Sequence, residues 1–172
     1  LGAHVQQQGS LVAEERLRFD FTHFKGLSKE ELDRVEEIVN DYVMDNHQLK
    51  TLSMSLADAK KTGALAFFGE KYEGKVRVVT AGDFSKEFCG GTHLENTGQI
   101  GLFKITQESS VASGVRRIEA VTGKWAYKLV KKEEALIREA ADILNAGEDR
   151  IIQELENRVS KIKFLEKEIH SK

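Results

Sequence analysis

The single cysteine of the chain lies four positions before a histidine, in the stretch Cys89-Gly90-Gly91-Thr92-His93. A thiolate and an imidazole are side chains that zinc prefers, and two adjacent glycines allow the sharp turn that would direct both groups to one point. Zinc takes four protein ligands in a structural site and usually three plus water in a catalytic site. The motif therefore predicts a zinc site of which Cys89 and His93 form one part, with further ligands elsewhere.

Other interpretations of this stretch stay open. Cys89 could be a buried free thiol beside a surface histidine, or it could act in redox or nucleophilic chemistry with His93 as its base. Three flanking carboxylates, Asp83, Glu87 and Glu95, could orient a ligand histidine or serve as a general base toward metal-bound water. No spacing favours the remaining histidines as ligands; they are His4, His23, His47 and His170.

A basic segment lies further along the chain. Between Ser113 and Lys132 there are six cations and one anion, a local net charge of +5, and Trp125 and Tyr127 lie among them. Cations interleaved with aromatic rings suit a phosphate backbone and a stacked base, although a solvated helix face is the alternative. The candidate RNA contacts are Arg116, Arg117, Lys124 and Lys128.

Composition limits the class of protein. The chain has 172 residues, 40% of them hydrophobic and 31% charged, with a formal net charge of −2. These values predict a soluble globular protein, with no apolar run of membrane-spanning length and no evident leader. One cysteine cannot form an internal disulfide, which fits a cytoplasmic location. The residues from Leu1 onward read like the end of a helix, so we expect a segment of a longer protein.

Short strands and a few helices must position these groups. Leu17, Phe19 and Phe21 alternate with charged residues, as in a strand with one buried face. Ser28 followed by Glu31 predicts a capped helix over 28–43. We predict strands over 11–12, 16–21, 48–56, 76–79, 102–107 and 115–121, a turn over the polar residues 6–10, a short helix over 57–61, and a loop over 81–101. The fold class is α+β, with a mostly antiparallel sheet and packed helices.

The pattern changes near residue 123, where we place a domain boundary. Helical periodicity predicts a helix over 124–145, ended by Gly147, and a second helix from 148 onward. Apolar residues of the second helix occupy heptad positions, namely Ile152, Leu155, Val159, Ile162 and Ile169. The C-terminal part is therefore predicted to be a helical hairpin or a coiled-coil-like segment.

Several blocks of the chain resemble, in order, the editing domain of the alanyl-tRNA synthetase family. They are residues 1–12, 16–23, 63–72, 76–79, 88–93 and 114–123. The resemblance implies that residues 1–123 form an editing (aminoacyl-tRNA deacylase) domain without its N-terminal part. Residues 124–172 resemble, more weakly, the helical connector of the family.

The resemblance implies zinc-dependent hydrolysis of serine or glycine from mischarged tRNA(Ala), because size alone discriminates poorly between such small amino acids. Its zinc ligands are an HxxxH pair, which would lie upstream of Leu1, and the pair matched here by Cys89 and His93. Gln7 matches the pocket glutamine of the family. With Thr92, it would favour the serine hydroxyl, and Arg116 and Arg117 would contact the tRNA acceptor end or the pocket.

With two of four ligands, we expect the chain alone to bind zinc weakly or not at all and to edit poorly. ATP and Mg²⁺ would serve only the alanine-ligating domain of the parent enzyme. One alternative is a free-standing deacylase of the same superfamily that edits without an attached synthetase. Another is a non-catalytic module that binds RNA or a partner, with a structural zinc motif and self-association through the 148–172 helix.

Overall fold

A computed structural model describes residues 1–66 and 74–171, and within them the chain forms two antiparallel sheets and four α-helices. This confirms the α+β class. In chain order the elements are β1 (Gln7–Val12), β2 (Leu17–Thr22), α1 (Lys29–Met44), β3 (Leu49–Ser55), α2 (Leu56–Lys61), β4 (Lys75–Ala81), β5 (Ser85–Phe88), β6 (Phe103–Ala112), β7 (Val115–Thr122), α3 (Gly123–Leu144) and α4 (Ile151–His170), with 3₁₀ turns at Thr97–Ile100 and Glu148–Arg150.

The larger sheet has the strand order β1-β2-β7-β6. Alternation along β2 buries Phe21, which is 2% exposed, and on β7 it buries Ile118 and Ala120. The predicted capping box begins α1: the Ser28 hydroxyl accepts from the Glu31 N–H, and the Glu31 carboxylate accepts from the Ser28 N–H. Further along α1, the Asn40 amide forms 2.9 Å hydrogen bonds with both backbone groups of Phe103, which fastens the helix to β6.

The smaller sheet has the order β3-β4-β5 and its own core. Val76, Val78 and Phe88 pack with Ala59 of α2 on one face. Because successive side chains of a strand point to opposite faces, Arg77 lies on the other face of β4. The chain leaves β5 at Phe88, which is 1% exposed, and enters the cysteine–histidine motif directly.

Three sequence predictions were wrong in extent. The loop over 81–101 contains strand β5 and the turn Thr97–Ile100, because pairing with β4 orders residues 85–88 despite a single apolar anchor. The polar residues predicted as a turn belong largely to β1, which begins at Gln7 and pairs with β2 around a bulge. Strand β6 extends to Ala112, where the partner strand supplies a pairing that periodicity does not reveal.

The described chain divides into two compact units, an N-terminal unit over Leu1–Tyr127 and a C-terminal unit from Lys128. Asn145, with φ of 53°, follows the last residue of α3, so the left-handed residue that ends this helix is an asparagine and not Gly147 as predicted. In α4 the heptad side chains are 43–73% exposed.

Within the described residues no helix is both long and apolar enough to cross a membrane. Of the block over 63–72, residues 67–72 lie outside the described part.

Candidate functional site

The cysteine–histidine loop is fastened to the central strand of the smaller sheet. The Cys89 N–H donates to the Arg77 carbonyl at 3.1 Å. The Arg77 guanidinium in turn donates to the carbonyls of Gly90 and Gly91, at 3.3 and 2.9 Å. One arginine therefore holds the start of the loop through both its backbone and its side chain.

The end of the loop is fixed to the end of α1. The buried Thr97 hydroxyl donates to the Tyr42 carbonyl at 2.6 Å and accepts from the His47 N–H at 2.9 Å. The Gln99 side chain accepts from the N–H groups of Glu95 and Asn96. Hydrogen bonds thus hold the chain on both sides of residues 89–93. A loop that binds a ligand in a preorganised conformation requires such support.

The loop contains two side chains whose donor atoms suit zinc, the thiol of Cys89 and the imidazole of His93. Cys89 is a half-buried free thiol, and a Cβ added to Gly91 would be in ordinary van der Waals contact with its Sγ, at 3.5 Å. His93 is exposed and lines an open cavity of about 530 Å³ with Arg77 and Glu95. Within residues 1–66 and 74–171, no three or more histidine, cysteine or acidic side chains are grouped for metal binding. Zinc binding by Cys89 and His93 therefore stays a prediction.

A second cavity, of about 260 Å³, contains the predicted pocket glutamine. We call it the inter-sheet cavity because strands of both sheets line it, and its described lining residues are Val5, Gln6, Gln7, Phe19, Leu65, Ala66 and Glu87. Gln7 Nε2 donates to Ser10 Oγ at 3.1 Å. The structure brings Gln7 together with Glu87, two residues before Cys89, whereas His93 lines the other cavity. Thr92 is exposed between the two predicted ligands.

The segment that positions Gln7 is held by two histidines. His4 Nε2 lies 2.7 Å from Nδ1 of the buried His23, and the Thr22 hydroxyl donates to the His4 carbonyl. Thr22 Oγ1 also accepts from the Gln6 N–H at 2.9 Å. These contacts pair the N-terminal segment with β2, so His4 and His23 act as structural partners of each other.

The predicted RNA contacts belong to β7 and α3 and not to the cysteine–histidine loop. Arg116 donates to both oxygens of Glu108, and Arg117 to both oxygens of Asp20 at 2.7 and 2.8 Å. Hydrogen bonds from Arg117 hold the pKa of Asp20 below its ordinary value, and the same pair raises the pKa of Arg117. Lys124 pairs with Glu14 and lies over the Trp125 ring, and Lys128 belongs to the C-terminal unit. Contact of these four residues with RNA stays a prediction.

Sequence reasoning missed Arg77. Arg77 interrupts the β-branched run Val76-Arg77-Val78-Val79, which indicates that one face of this strand makes a polar interaction. The partner of that charge could not be found from spacing, because Gly90 and Gly91 contribute only carbonyl groups.

Comparison with known proteins relates the chain to aminoacyl-tRNA synthetases. Residues 76–119 match the family described as "Threonyl and Alanyl tRNA synthetase second additional domain". The chain is 52% identical over 169 residues to the alanine–tRNA ligase of Shewanella loihica, and 53% identical over 168 residues to that of Shewanella amazonensis. Each match covers 98% of this chain and 19% of the relative, so the chain spans about a fifth of the length of these relatives.

Proposed function

Because the chain belongs to the alanyl-tRNA synthetase family, we propose that it is the editing module of such an enzyme. Its reaction is the zinc-dependent hydrolysis of the ester that joins serine or glycine to tRNA(Ala). The observation that carries the proposal is the anchored Cys89–His93 loop, which leaves strand β5 two residues after a carboxylate of the inter-sheet cavity. The acceptor end of tRNA(Ala) is the macromolecular partner.

Cys89 and His93 would hold the metal, with further ligands from outside the described residues. Bound zinc supplies Lewis acidity, which polarises an ester carbonyl or lowers the pKa of a coordinated water. The chain's own residues position the substrate. Gln7 lines the inter-sheet cavity, where its amide would offer a donor and an acceptor to a serine hydroxyl. Thr92 would present its hydroxyl beside the ligands.

The roles of the whole enzyme are also proposals. The relatives are named for ligation of alanine to tRNA, and we propose that the protein containing this sequence performs that ATP- and Mg²⁺-dependent reaction in the cytoplasm. Lys124, Lys128, Arg116 and Arg117 would contribute contacts to the tRNA backbone, and these should weaken as salt increases. A free-standing deacylase of the same superfamily is the alternative within this chemistry.

The test uses a host ligase, defined as the Shewanella loihica alanine–tRNA ligase whose matching segment is exchanged for this chain. Release of labelled serine from Ser-tRNA(Ala) is followed with zinc present, beside the chain alone. We expect Cys89→Ser and His93→Asn each to reduce release by about a thousandfold, since a metal ion contributes several kcal/mol to such a transition state. His170→Asn, an exposed histidine of α4, is the matched control.

Alanylation by the host ligase monitors correct folding and should be equal in all these variants. Serine release by the host ligase, but much less by the chain alone, would support the need for ligands beyond the described residues. Serine release that persists undiminished in Cys89→Ser would contradict the proposed function.

We propose a second, separable role for the C-terminal unit: self-association through α4. The support is the row of exposed apolar side chains at heptad positions, for which a second copy is the natural partner. Sedimentation equilibrium of the chain should show a concentration-dependent dimer. Ile162→Glu should abolish it, whereas Lys163→Glu, at the neighbouring exposed position, should leave it intact. An unchanged monomer at all concentrations would exclude this role.

A further inference from the structure

Glu87 is the one charged residue among the described residues that line the inter-sheet cavity, where its neighbours are apolar or amide residues. Glu87 is half-buried, and within the described residues it forms no ion pair. Ser85 Oγ donates to Glu87 Oε1 at 3.0 Å, and no other side-chain hydrogen bond is made by this carboxylate in the described part of the chain. A carboxylate that is partly withdrawn from water is stabilised by a cation. Among the described residues the second oxygen of Glu87 has no side-chain partner, which suits a cationic ligand.

The other lining residues restrict what that ligand is. Gln6 and Gln7 contribute amides, which can hydrogen-bond a hydroxyl or a carbonyl but cannot balance a charge. The Glu87 carboxylate would repel an anion such as phosphate. The volume of about 260 Å³ lies below the roughly 300–1,000 Å³ of sites for drug-sized molecules. The cavity therefore fits a small organic group with one positive charge and one further polar atom.

We propose that the inter-sheet cavity is the aminoacyl subsite and that Glu87 binds the α-ammonium group of the aminoacyl ester. The inference rests on the proposed function, because an aminoacyl ester combines a small body, a primary ammonium group and a carbonyl. It also adds a selectivity: an ester whose amino group is acylated, as in peptidyl-tRNA, lacks the charge that Glu87 recognises. The site accepts free aminoacyl esters and rejects N-blocked ones.

Strand geometry places the Glu87 carboxylate on the same face of the smaller sheet as the predicted metal ligand Cys89. Phe88 is buried in the core of the smaller sheet, so its neighbours Glu87 and Cys89 project toward the opposite face. The strand pattern continues to Cys89, because its N–H donates to the Arg77 carbonyl. An ammonium group held by Glu87 would leave the ester carbonyl, two bonds away, on the side where the cysteine–histidine loop begins.

Equilibrium binding tests the inference without relying on turnover. The probes are a seryl-amide analogue of the tRNA 3′ terminus, which cannot be hydrolysed, and the same molecule with hydroxypropanoyl in place of seryl, which lacks only the amine. Both are titrated into the host ligase and its Glu87→Gln, Glu87→Asp and Glu15→Gln variants by calorimetry. Glu15 is an exposed carboxylate between β1 and β2, so its variant controls for the loss of one negative charge.

We expect the amine to improve binding by about tenfold to a hundredfold in the unsubstituted host ligase and in Glu15→Gln, as for a hydrogen bond to a charged group. The two probes should bind equally to Glu87→Gln, and Glu87→Asp should keep part of the preference. A preference that survives in Glu87→Gln would overturn the inference, as would equal binding, or no binding, of the probes to the unsubstituted protein.

Two further outcomes separate this inference from its premises. If Glu87 served as a general base, Glu87→Gln would slow hydrolysis of Ser-tRNA(Ala) yet keep the binding preference for the amine, which would also overturn the ammonium site. A preference for the amine that depends on Glu87, without serine release from Ser-tRNA(Ala), would support the ammonium site and contradict the proposed function.

Discussion

The two sheets of the N-terminal unit treat their charged residues differently. In the four-stranded sheet, Arg116 and Arg117 on β7 each donate two hydrogen bonds to a carboxylate of a neighbouring strand. In the three-stranded sheet, Arg77 donates to glycine carbonyls, and neither Arg77 nor Glu87 forms an ion pair among the described residues. Charges balanced within a sheet stabilise strand pairing, whereas unbalanced charges beside cavities are candidates for function. On the proposed function, the smaller sheet would carry Cys89, His93 and Glu87, whereas the larger sheet would contribute Gln7 and otherwise serve as a scaffold.

The largest effect should follow the loss of the Arg77 guanidinium. Arg77→Gln removes the hydrogen bonds to the carbonyls of Gly90 and Gly91, so the ligand loop loses its anchor. We expect zinc affinity at the loop to fall about tenfold to a hundredfold, as when the groups that orient ligands are lost elsewhere. Competition with a chromophoric chelator measures this in the host ligase. Lys75→Gln, on the same strand, is the control. Equal zinc affinity in both variants would mean that Arg77 does not support the metal-binding loop.

A smaller effect, on stability and not on chemistry, should follow the loss of a balanced charge. Asp20→Asn breaks the two hydrogen bonds from Arg117 and should lower the free energy of unfolding by roughly 1–2 kcal/mol. Urea denaturation of the chain, followed by circular dichroism, measures it. Asp41→Asn, an exposed carboxylate of α1, should change stability far less. If the two variants were equally stable, the larger sheet would not depend on its balanced charges.

The stabilisation by Asp20 should disappear in acid. Its pKa in the folded state lies below the ordinary value of 3.8, because the Arg117 guanidinium donates to the carboxylate. A lowered folded-state pKa means that the stabilisation is present above pH 3.8 and is lost as the pH falls through the folded-state pKa. The difference in urea midpoint between the unsubstituted chain and Asp20→Asn should therefore be constant near neutrality and shrink below this value. A difference that grows in acid would mean that another group controls it.

The smallest effect should come from an exposed pair. Lys124 and Glu14 are 63% and 77% exposed, so Lys124→Gln should change the free energy of unfolding by less than about 0.5 kcal/mol. If Lys124 contacts tRNA, the variant should lower the salt dependence of tRNA binding by about one unit of slope. Filter binding of tRNA(Ala) at several salt concentrations checks this. An unchanged slope would leave Lys124 as a surface cation only.

Sequence alone predicted the local features of this molecule well. Ser28 and Glu31 cap α1 as expected, since both partners of that interaction lie within one turn. The glycine loop with Cys89 and His93 follows a strand of the smaller sheet, although β5 itself was predicted as loop. What could not be predicted depends on residues distant along the chain. Asp20 and Arg117 lie 97 positions apart, and Arg77 binds carbonyls that have no side-chain signature.

The measurement that tests the division between the sheets most directly compares Arg77→Gln with Asp20→Asn in one host ligase. Serine release per folded molecule and the urea midpoint are determined for both. We predict that Arg77→Gln loses most of its serine release while its urea midpoint is unchanged. We predict that Asp20→Asn has a lower urea midpoint while its serine release per folded molecule is unchanged. Equal losses of rate and midpoint in both variants would contradict the account, because they would mean that both arginine sites serve stability alone.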